Sequence, residues 1–316
     1  MQRKILVTGG AGFIGSCLAE KLIADKDNFV VIVDNLLTGK LSNLPEKKGN
    51  WRFIKADVND IKEITGIMLS FHFDYVFHYA ALVGVKRTQD NPVKVLEDIK
   101  GIEHILNLSK NSGVKRVFFS SSSEVYGEPT ELPQNEETTP LNSRIPYAVV
   151  KNVGESFLKS YNKEYGLNYT IFRFFNTYGP KQNVDFVMSR FINLALKSKD
   201  ITIYGDGKQT RTFCYIKDNI EACVNAFYED AYINDVINIG SDFELPIIEL
   251  AKTIIELTAS KSKIVHLPPL EEGDMLRRFP DVSKMKNLLK SEPISIEDGI
   301  KLTLKNPYFI DNKQDC

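Results

Sequence analysis

Up to about residue 175, short β-branched or aromatic runs alternate with longer segments of helical period, the signature of βαβ units around a parallel sheet. The pattern predicts strands at KILVTG (4–9), FVVIVD (29–34), RFIKAD (52–57), YVFHYA (75–80), RVFFSS (116–121) and YTIFRFF (169–175). Several are apolar nearly throughout, as strands covered on both faces should be. Helical periodicity falls near 13–25, 92–112 and 145–165, and the second of these opens with Asn91 and Pro92, a sound helix start. Residues 1–175 therefore read as a doubly wound α/β domain.

From Asn176 the rhythm becomes mixed. A helix is expected in FVMSRFINLALKSK, then a short strand ITIY, the turn-former GDGKQ, TFCYI, and a helix from Asp218. VINIG, the amphipathic PIIELAKTIIELT, KIVHL and a loop PPLEEGDMLRRFPD come after it. Residues 176–316 read as a smaller mixed α/β domain for substrate, with some segments interleaving. No long Pro/Gly/Ser linker separates the halves, so they are expected to pack directly, with a ligand cleft between them. No repeat at solenoid period is visible.

Composition narrows the class. The 316 residues are 43% hydrophobic and 26% charged, those of an ordinary globular protein. Forty basic against 41 acidic side chains leave a formal charge of −1, which argues against nucleic acid as a partner. No uncharged apolar run reaches the roughly 20 residues of a membrane span, and the N-terminus lacks the pattern of a leader, so a cytosolic protein is expected. Cys17, Cys214, Cys223 and Cys316 are scattered without a close C-x-x-C pair, against a zinc knuckle or a disulfide framework.

The first candidate chemistry is VTGGAGFIG. Gly9, Gly12 and Gly15 stand three apart, directly after a strand and opening a helix, where backbone can approach a pyrophosphate. The second strand ends in Asp34, nineteen residues after Gly15, where a carboxylate can accept from an adenosine ribose. Its charge would repel a 2′-phosphate, so NAD is expected over NADP. Asp57 ends the third strand at the same edge, and it either reaches the adenine or serves as a turn or cap aspartate.

The second is PYAVVKNVGESFLKSY, which puts Tyr147 and Lys151 four apart on one helix face. A nearby ammonium stabilises phenolate and should lower the tyrosine pKa toward use as a base. SSSSEVYG (120–127) leaves the fifth strand at the carboxyl edge, where open α/β sheets bind ligands. Four serines in a row would usually mark a solvated linker. Here the strand before them and the tyrosine and lysine after them favour an active site.

These marks together resemble the extended short-chain dehydrogenase/reductases that modify nucleotide sugars. TGGAGFIG, VDNLLTG, HYAA (78–81), SSSSEVYG and PYAVVK carry the likeness in the first half; RFFNTYGP, YGDGKQTR and GDMLRRFPD carry it in the second. The resemblance implies a Rossmann-type fold and NAD held by Gly9, Gly12, Phe13, Ile14, Gly15, Asp34, Asn35, Thr38, Gly39, Asp57, Val58, Ala80 and Ala81. It also assigns Tyr147 as the base at a sugar 4-hydroxyl while NAD takes the C4 hydride. Lys151 becomes pKa modifier and nicotinamide-ribose ligand, and Ser122 the hydroxyl partner. Arg211 and Arg278 would meet the diphosphate or a sugar carboxylate, as guanidinium groups do well, and Asn176 would bind the diphosphate. Tyr204 would pack on base or ribose, or else be a core tyrosine. The helices near 92–112 and 145–165 would pair across a two-fold axis into a homodimer.

The fate of the 4-keto sugar separates the family's reactions. Simple 4-epimerases resemble SSSAVYG, with no acid at Glu124. Ser123 and Glu124 look like the T-S-E-V-Y-G of UDP-glucuronate decarboxylases. Dehydratases acting on dTDP-glucose usually carry Asp-Glu, whereas those acting on GDP-mannose also carry Ser-Glu. GKQTRTF and RRFPDVSK resemble decarboxylase segments too, while LVGVKRTQDNP looks more like epimerases. UDP-glucuronate decarboxylation to UDP-xylose is the leading expectation, with 4-epimerisation next, a 4,6-dehydratase after it, and a non-catalytic dinucleotide sensor the remote alternative. Glu124 would order a water or a sugar hydroxyl, unless it is only a loop or cap acid.

Overall fold

The structure is a computed structural model that describes residues 2–46, 49–269, 277–306 and 309. Its first stretch holds β1 (Arg3–Thr8), α1 (Phe13–Ile23), β2 (Asn28–Asp34), β3 (Trp51–Lys55), α2 (Ile61–Phe71), β4 (Tyr75–His78), α3 (Val85–Asp90), α4 (Pro92–Leu96), α5 (Asp98–Ser112), β5 (Arg116–Ser122), α6 (Pro146–Tyr165) and β6 (Asn168–Phe174). Then come β7 (Thr177–Tyr178), α7 (Val187–Leu196), β8 (Ile201–Tyr204), β9 (Thr210–Thr212), β10 (Cys214–Tyr215), α8 (Ile216–Tyr228), β11 (Asp235–Ile239), β12 (Glu244–Pro246), α9 (Ile247–Thr258), β13 (Ile264–Leu267), α10 (Ser283–Leu288) and α11 (Ile296–Leu304).

The main sheet runs β3-β2-β1-β4-β5-β6-β11. Pairing is parallel from β3 through β6. The chain builds outward from β1 to β3 and then returns to the other side of β1 with β4, so the carboxyl ends of β1 and β4 flank the crevice where such sheets take ligands. All six strands read from the pattern are present. VINIG, grouped by the sequence with the second half, forms β11 beside β6. The single helix expected at 92–112 is broken at Glu97 into α4 and α5. An unforeseen helix, α2, starts where the Asp60 carboxylate accepts from Lys62 N, a standard N-cap.

The chain divides into two compact units. One comprises Met1–Val125, Leu141–Phe174 and Ile220–Ile237; the other Tyr126–Pro140, Phe175–Asn219 and Asn238–Cys316. In the first, Phe77 stacks on Phe118 at 4.3 Å and Phe118 on Phe172 at 6.1 Å, with Phe227 of α8 standing edge-on to Phe77 and Phe118. A separate, largely aliphatic cluster gathers Leu6, Val31, Ile64, Met68, Ile105, Val117, Val150 and Ile171 around Phe119, joining strands to α2, α5 and α6. Both apolar layers explain why the strands are hydrophobic almost throughout.

In the second unit β8 pairs with β13 in parallel and β9 with β12 antiparallel. The helix α9 buries Ile247, Leu250, Ala251 and Ile254, α7 buries Met188, Phe191, Ile192 and Ala195, and the two helices pack together. No helix among the described residues is long and apolar enough to cross a membrane. Cys17, Cys214 and Cys223 form no disulfide, and Cys316 lies outside the described residues.

Candidate active site

The glycine loop is shaped by close approach. Gly9 takes φ +67°, and a Cβ there would lie 2.7 Å from Ala80 N, so the loop after β1 sits against the chain leaving β4. A Cβ on Gly15 would collide with the Gly9 carbonyl. Gly12 is the N-cap of α1, whose first amides, at Phe13, Ile14 and Gly15, have no acceptor within the helix and a favourable dipole for an anion.

Asp34 is buried, and its carboxylate accepts from Ala11 N at 3.0 Å and Leu36 N at 2.8 Å. It therefore closes the glycine loop onto β2. Each oxygen keeps a second lone pair for a ribose hydroxyl. Lys40 N and the Asn43 amide both donate to Ala11 O, strapping residues 35–43 over the loop. Gly39 packs directly on the Asp34 carboxylate, with half-buried Thr38 beside it. Asn35 donates to Asp57 Oδ2 at 3.0 Å, while Asp57 Oδ1 accepts from Asn59 N at 2.9 Å. Asp57 thus has the turn role and still ends at the cofactor edge. Val58 is a different case, since its side chain belongs to the aliphatic cluster and meets Gly101. Ala80 N donates to Thr8 Oγ1, and Ala81 is half-buried beside it. The close backbone approaches of the glycines, the free amides of α1 and the Asp34 carboxylate fit NAD.

At the neighbouring strand end, Ser122 is hydrogen-bonded to Tyr147, and its Oγ also accepts from Glu124 N at 3.2 Å. Ser123 is buried, and Glu124 lies in the 3-10 turn Ser123–Tyr126. Lys151 is buried and donates to Ser120 Oγ at 3.3 Å; its ammonium lies 5.0 Å from the Phe119 ring centre and 5.8 Å from that of Tyr147. Ser120 Oγ in turn donates to His78 O at 3.3 Å. Of the five residues singled out for catalysis, Ser122, Glu124, Tyr147 and Lys151 are brought together here, and Ser123 is buried next to Ser122 in the chain.

The electrostatics correct one expectation. Burial pushes the Tyr147 phenol above its ordinary value, the Ser122 bond opposes this, and the charges of Glu124 and Asp98 add to it. The protein's own groups therefore do not make Tyr147 acidic: burial dominates, the charges of Glu124 and Asp98 add to it, and Lys151 gives its hydrogen bond to Ser120. Lys151 itself is pushed down to about 8 by burial, against the pull of Asp98. Burial, with Lys151 nearby, drives His78 down to about 3, so it stays neutral while its Nδ1 meets Thr8 Oγ1 at 2.8 Å.

Sequence reasoning missed Asp98. Its oxygens accept from Leu82 N at 2.6 Å and the Asn59 amide at 3.1 Å, tying the segments after β4 and β3 to the start of α5. Dehydration raises its pKa. An acid in the first turn of a helix was the available signal, but its burial was not readable.

In the second unit Asn176 donates to Thr212 O at 3.0 Å, and Arg211 of β9 is buried with Nη1 on Thr210 O at 2.7 Å. Arg278 is buried as well. Its neighbour Arg277 is exposed and forks onto Glu244 of β12 at 2.8 and 2.7 Å. Tyr204 is half-buried at the end of β8, with its carbonyl accepting from Gln209. Residues 273–276 of the GDMLRRFPD motif lie outside the described residues. Tyr126 of the EVYG stretch is fully buried, and its hydroxyl donates to Asn238 Oδ1 at 2.8 Å, a structural task. Among the described residues no cluster of His, Cys, Asp or Glu is arranged to hold a metal.

Known proteins resemble this chain in sequence and fold. Residues 5–240 match the model of the NAD dependent epimerase/dehydratase family. A UDP-N-acetyl-alpha-D-glucosaminuronate decarboxylase of Bacillus cytotoxicus is 40% identical over 96% of this chain and 98% of its own. UDP-glucuronic acid decarboxylase 6 of Arabidopsis thaliana is 37% identical over 95% of this chain and 87% of its own. The solved structure of UDP-glucose 4-epimerase from Thermotoga maritima, with UDP-glucose, superposes with a TM-score of 0.90 at 34% identity, covering 98% of this chain and 99% of that one. With the glycine loop, Asp34 and the Ser122–Tyr147–Lys151 constellation in place, the chain belongs to the NAD dependent epimerase/dehydratase family and is an NAD-dependent enzyme of nucleotide sugars.

Proposed function

We propose that the protein decarboxylates a UDP-hexuronate through a 4-keto sugar, with UDP-glucuronate as substrate and UDP-xylose as product. The observation that carries the reading is Glu124 beside the Ser122–Tyr147 pair, where simple epimerases have no acid, together with decarboxylases at 37–40% identity.

Tyr147 takes the proton of the sugar 4-hydroxyl, and Ser122 holds the same oxygen. The glycine loop, Asp34 and Lys151 would hold NAD, which when bound would supply reversible hydride transfer at C4 and, in its oxidised form, a positive charge that favours phenolate. Once C4 is a ketone the sugar is a β-keto acid. Breaking C5–C6 then releases CO2 and leaves its electron pair in an enolate, whose oxygen Ser122 and Tyr147 stabilise by hydrogen bonding. A proton is added at C5, and Glu124 orders the water or hydroxyl that serves this step. Asn176, Arg211 and Arg278 bind the diphosphate and the uronate carboxylate, and Tyr204 packs on the nucleoside.

A second reading keeps the chemistry and changes the sugar to a 2-acetamido uronate, supported by the 40% identical relative that acts on one. Exposed Val93 and Leu96 on α4 support pairing of these helices in a homodimer, which sedimentation at micromolar concentration tests. The deciding experiment incubates the protein with UDP-glucuronate, its 2-acetamido analogue, and UDP-, GDP- and dTDP-hexoses, read by mass spectrometry. Loss of CO2 from a uronate is expected. Loss of water, or an isomer of unchanged mass from a hexose alone, would overturn the decarboxylase reading.

A further inference from the structure

Three consecutive serines at the end of β5 fasten three different positions of α6. Ser120 receives the Lys151 ammonium at 3.3 Å, Ser121 donates to Glu155 Oε1 at 2.6 Å, and Ser122 bonds Tyr147. The outer two belong to the chemistry above. The middle one does not touch it.

The acceptor of Ser121 is a carboxylate sealed from water. Glu155 is 1% exposed, and Arg173 of β6, equally buried, forks onto it with Nε at 2.9 Å from Oε1 and Nη2 at 2.7 Å from Oε2. Ser121 and Arg173 are directly opposite in the β5–β6 ladder, so adjacent strands grip one side chain of the helix. Glu155 stands four residues after Lys151 and eight after Tyr147, on the same face of α6. Next to it, a Cβ on Gly154 would lie 2.5 Å from Phe119 Cζ, so the helix backbone already rests on the strand's side chains. Contact of that kind leaves sliding along the strand undetermined.

A buried ion pair is a poor source of stability, because dehydrating both charges consumes most of their attraction. Directional bonds to one fixed point are better suited to setting register. We propose that the Ser121–Glu155–Arg173 pin sets the height of α6 along β5, making Ser121 a positioning residue that brings Tyr147 to Ser122 and Lys151 to Ser120. The inference rests on Tyr147 acting at the sugar 4-hydroxyl. Misplacing a reacting group by a fraction of an ångström slows chemistry while leaving binding groups elsewhere in place.

Ser121→Ala tests it, since the ion pair stays intact and only the strand's tie to it is lost. In the full-length protein with NAD and the turned-over nucleotide sugar, kcat is expected to fall about tenfold, with KM and NAD affinity within about twofold of wild type, and Ser121→Thr is expected to recover most of the loss. A Ser121→Ala protein with wild-type kcat and only a lower unfolding temperature would overturn the pin and leave the reaction standing. A wild-type protein that turns over no nucleotide sugar would overturn the reaction instead. Should Ser121→Ala not fold, Ser121→Cys, a weaker donor of similar size, is read by the same split.

Discussion

The cofactor edge and the tyrosine edge of the main sheet are neighbours built on opposite principles. At the first, backbone does the work: glycines let β1, β4 and α1 approach, and one carboxylate, Asp34, stitches the loop by accepting amides. At the second, side chains do it, through serines, a lysine, a tyrosine and a sealed ion pair. The first edge is fixed mainly by backbone shape. The second holds dehydrated charges, so its properties depend on pH and on single hydroxyl groups. A binding site for an invariant cofactor can be all shape, whereas a site that moves protons must keep ionisable groups out of water.

Three experiments press on this contrast. The largest effect is expected from Tyr147→Phe, which removes the base and should lower kcat by about 10²–10⁴-fold while NAD titration stays near wild type. An unchanged rate would sink the assignment of the base.

Next is pH. The unfolded chain holds the Lys151 proton up to about its ordinary 10.5, whereas the folded protein gives it up near 8. Between those values the unfolded state binds more protons, so stability from this group rises with pH; below about 8 the full burial cost is present. Lys151→Met should therefore be more stable than wild type by a margin that shrinks by up to about 3 kcal/mol from pH 7 to pH 10.5, measured by denaturant unfolding. A margin constant across that range would contradict the dehydrated ammonium.

The smallest effect is at the shape-built edge. Gly15→Ala should cost about 1–3 kcal/mol through its collision with the Gly9 carbonyl, seen as weaker NAD binding in calorimetry and a lower unfolding temperature. Its pH dependence should match wild type, which separates the two edges.

Much of this was legible in the sequence, for local reasons. The glycine spacing, Asp34 at a strand end and the Tyr147–Lys151 face are each set within a turn or two of chain, and strand periodicity needs no knowledge of neighbours. The unread features all depend on distant partners. Ser121 and Glu155 are 34 residues apart, and nothing near either one marks the other. The sign of the Tyr147 shift is set first by burial, which neighbours distant in the chain create, with the charges of Glu124 and Asp98 adding to it. Two adjacent arginines differ only by surroundings, Arg277 on Glu244 at the surface and Arg278 buried. The strand VINIG looks the same wherever it pairs, so its place beside β6 was invisible.

That edge strand bears on modularity. A fragment ending at residue 175 has every motif of the active half, yet lacks Phe227, which caps the Phe77–Phe118 stack, and β11, which covers the outer edge of β6. Recombination between relatives at that apparent boundary would join a sheet from one parent to the edge strand and aromatic cap of another. Exchangeable pieces of this enzyme must carry residues 220–237 along with the N-terminal part, although the sequence places more than forty residues between them.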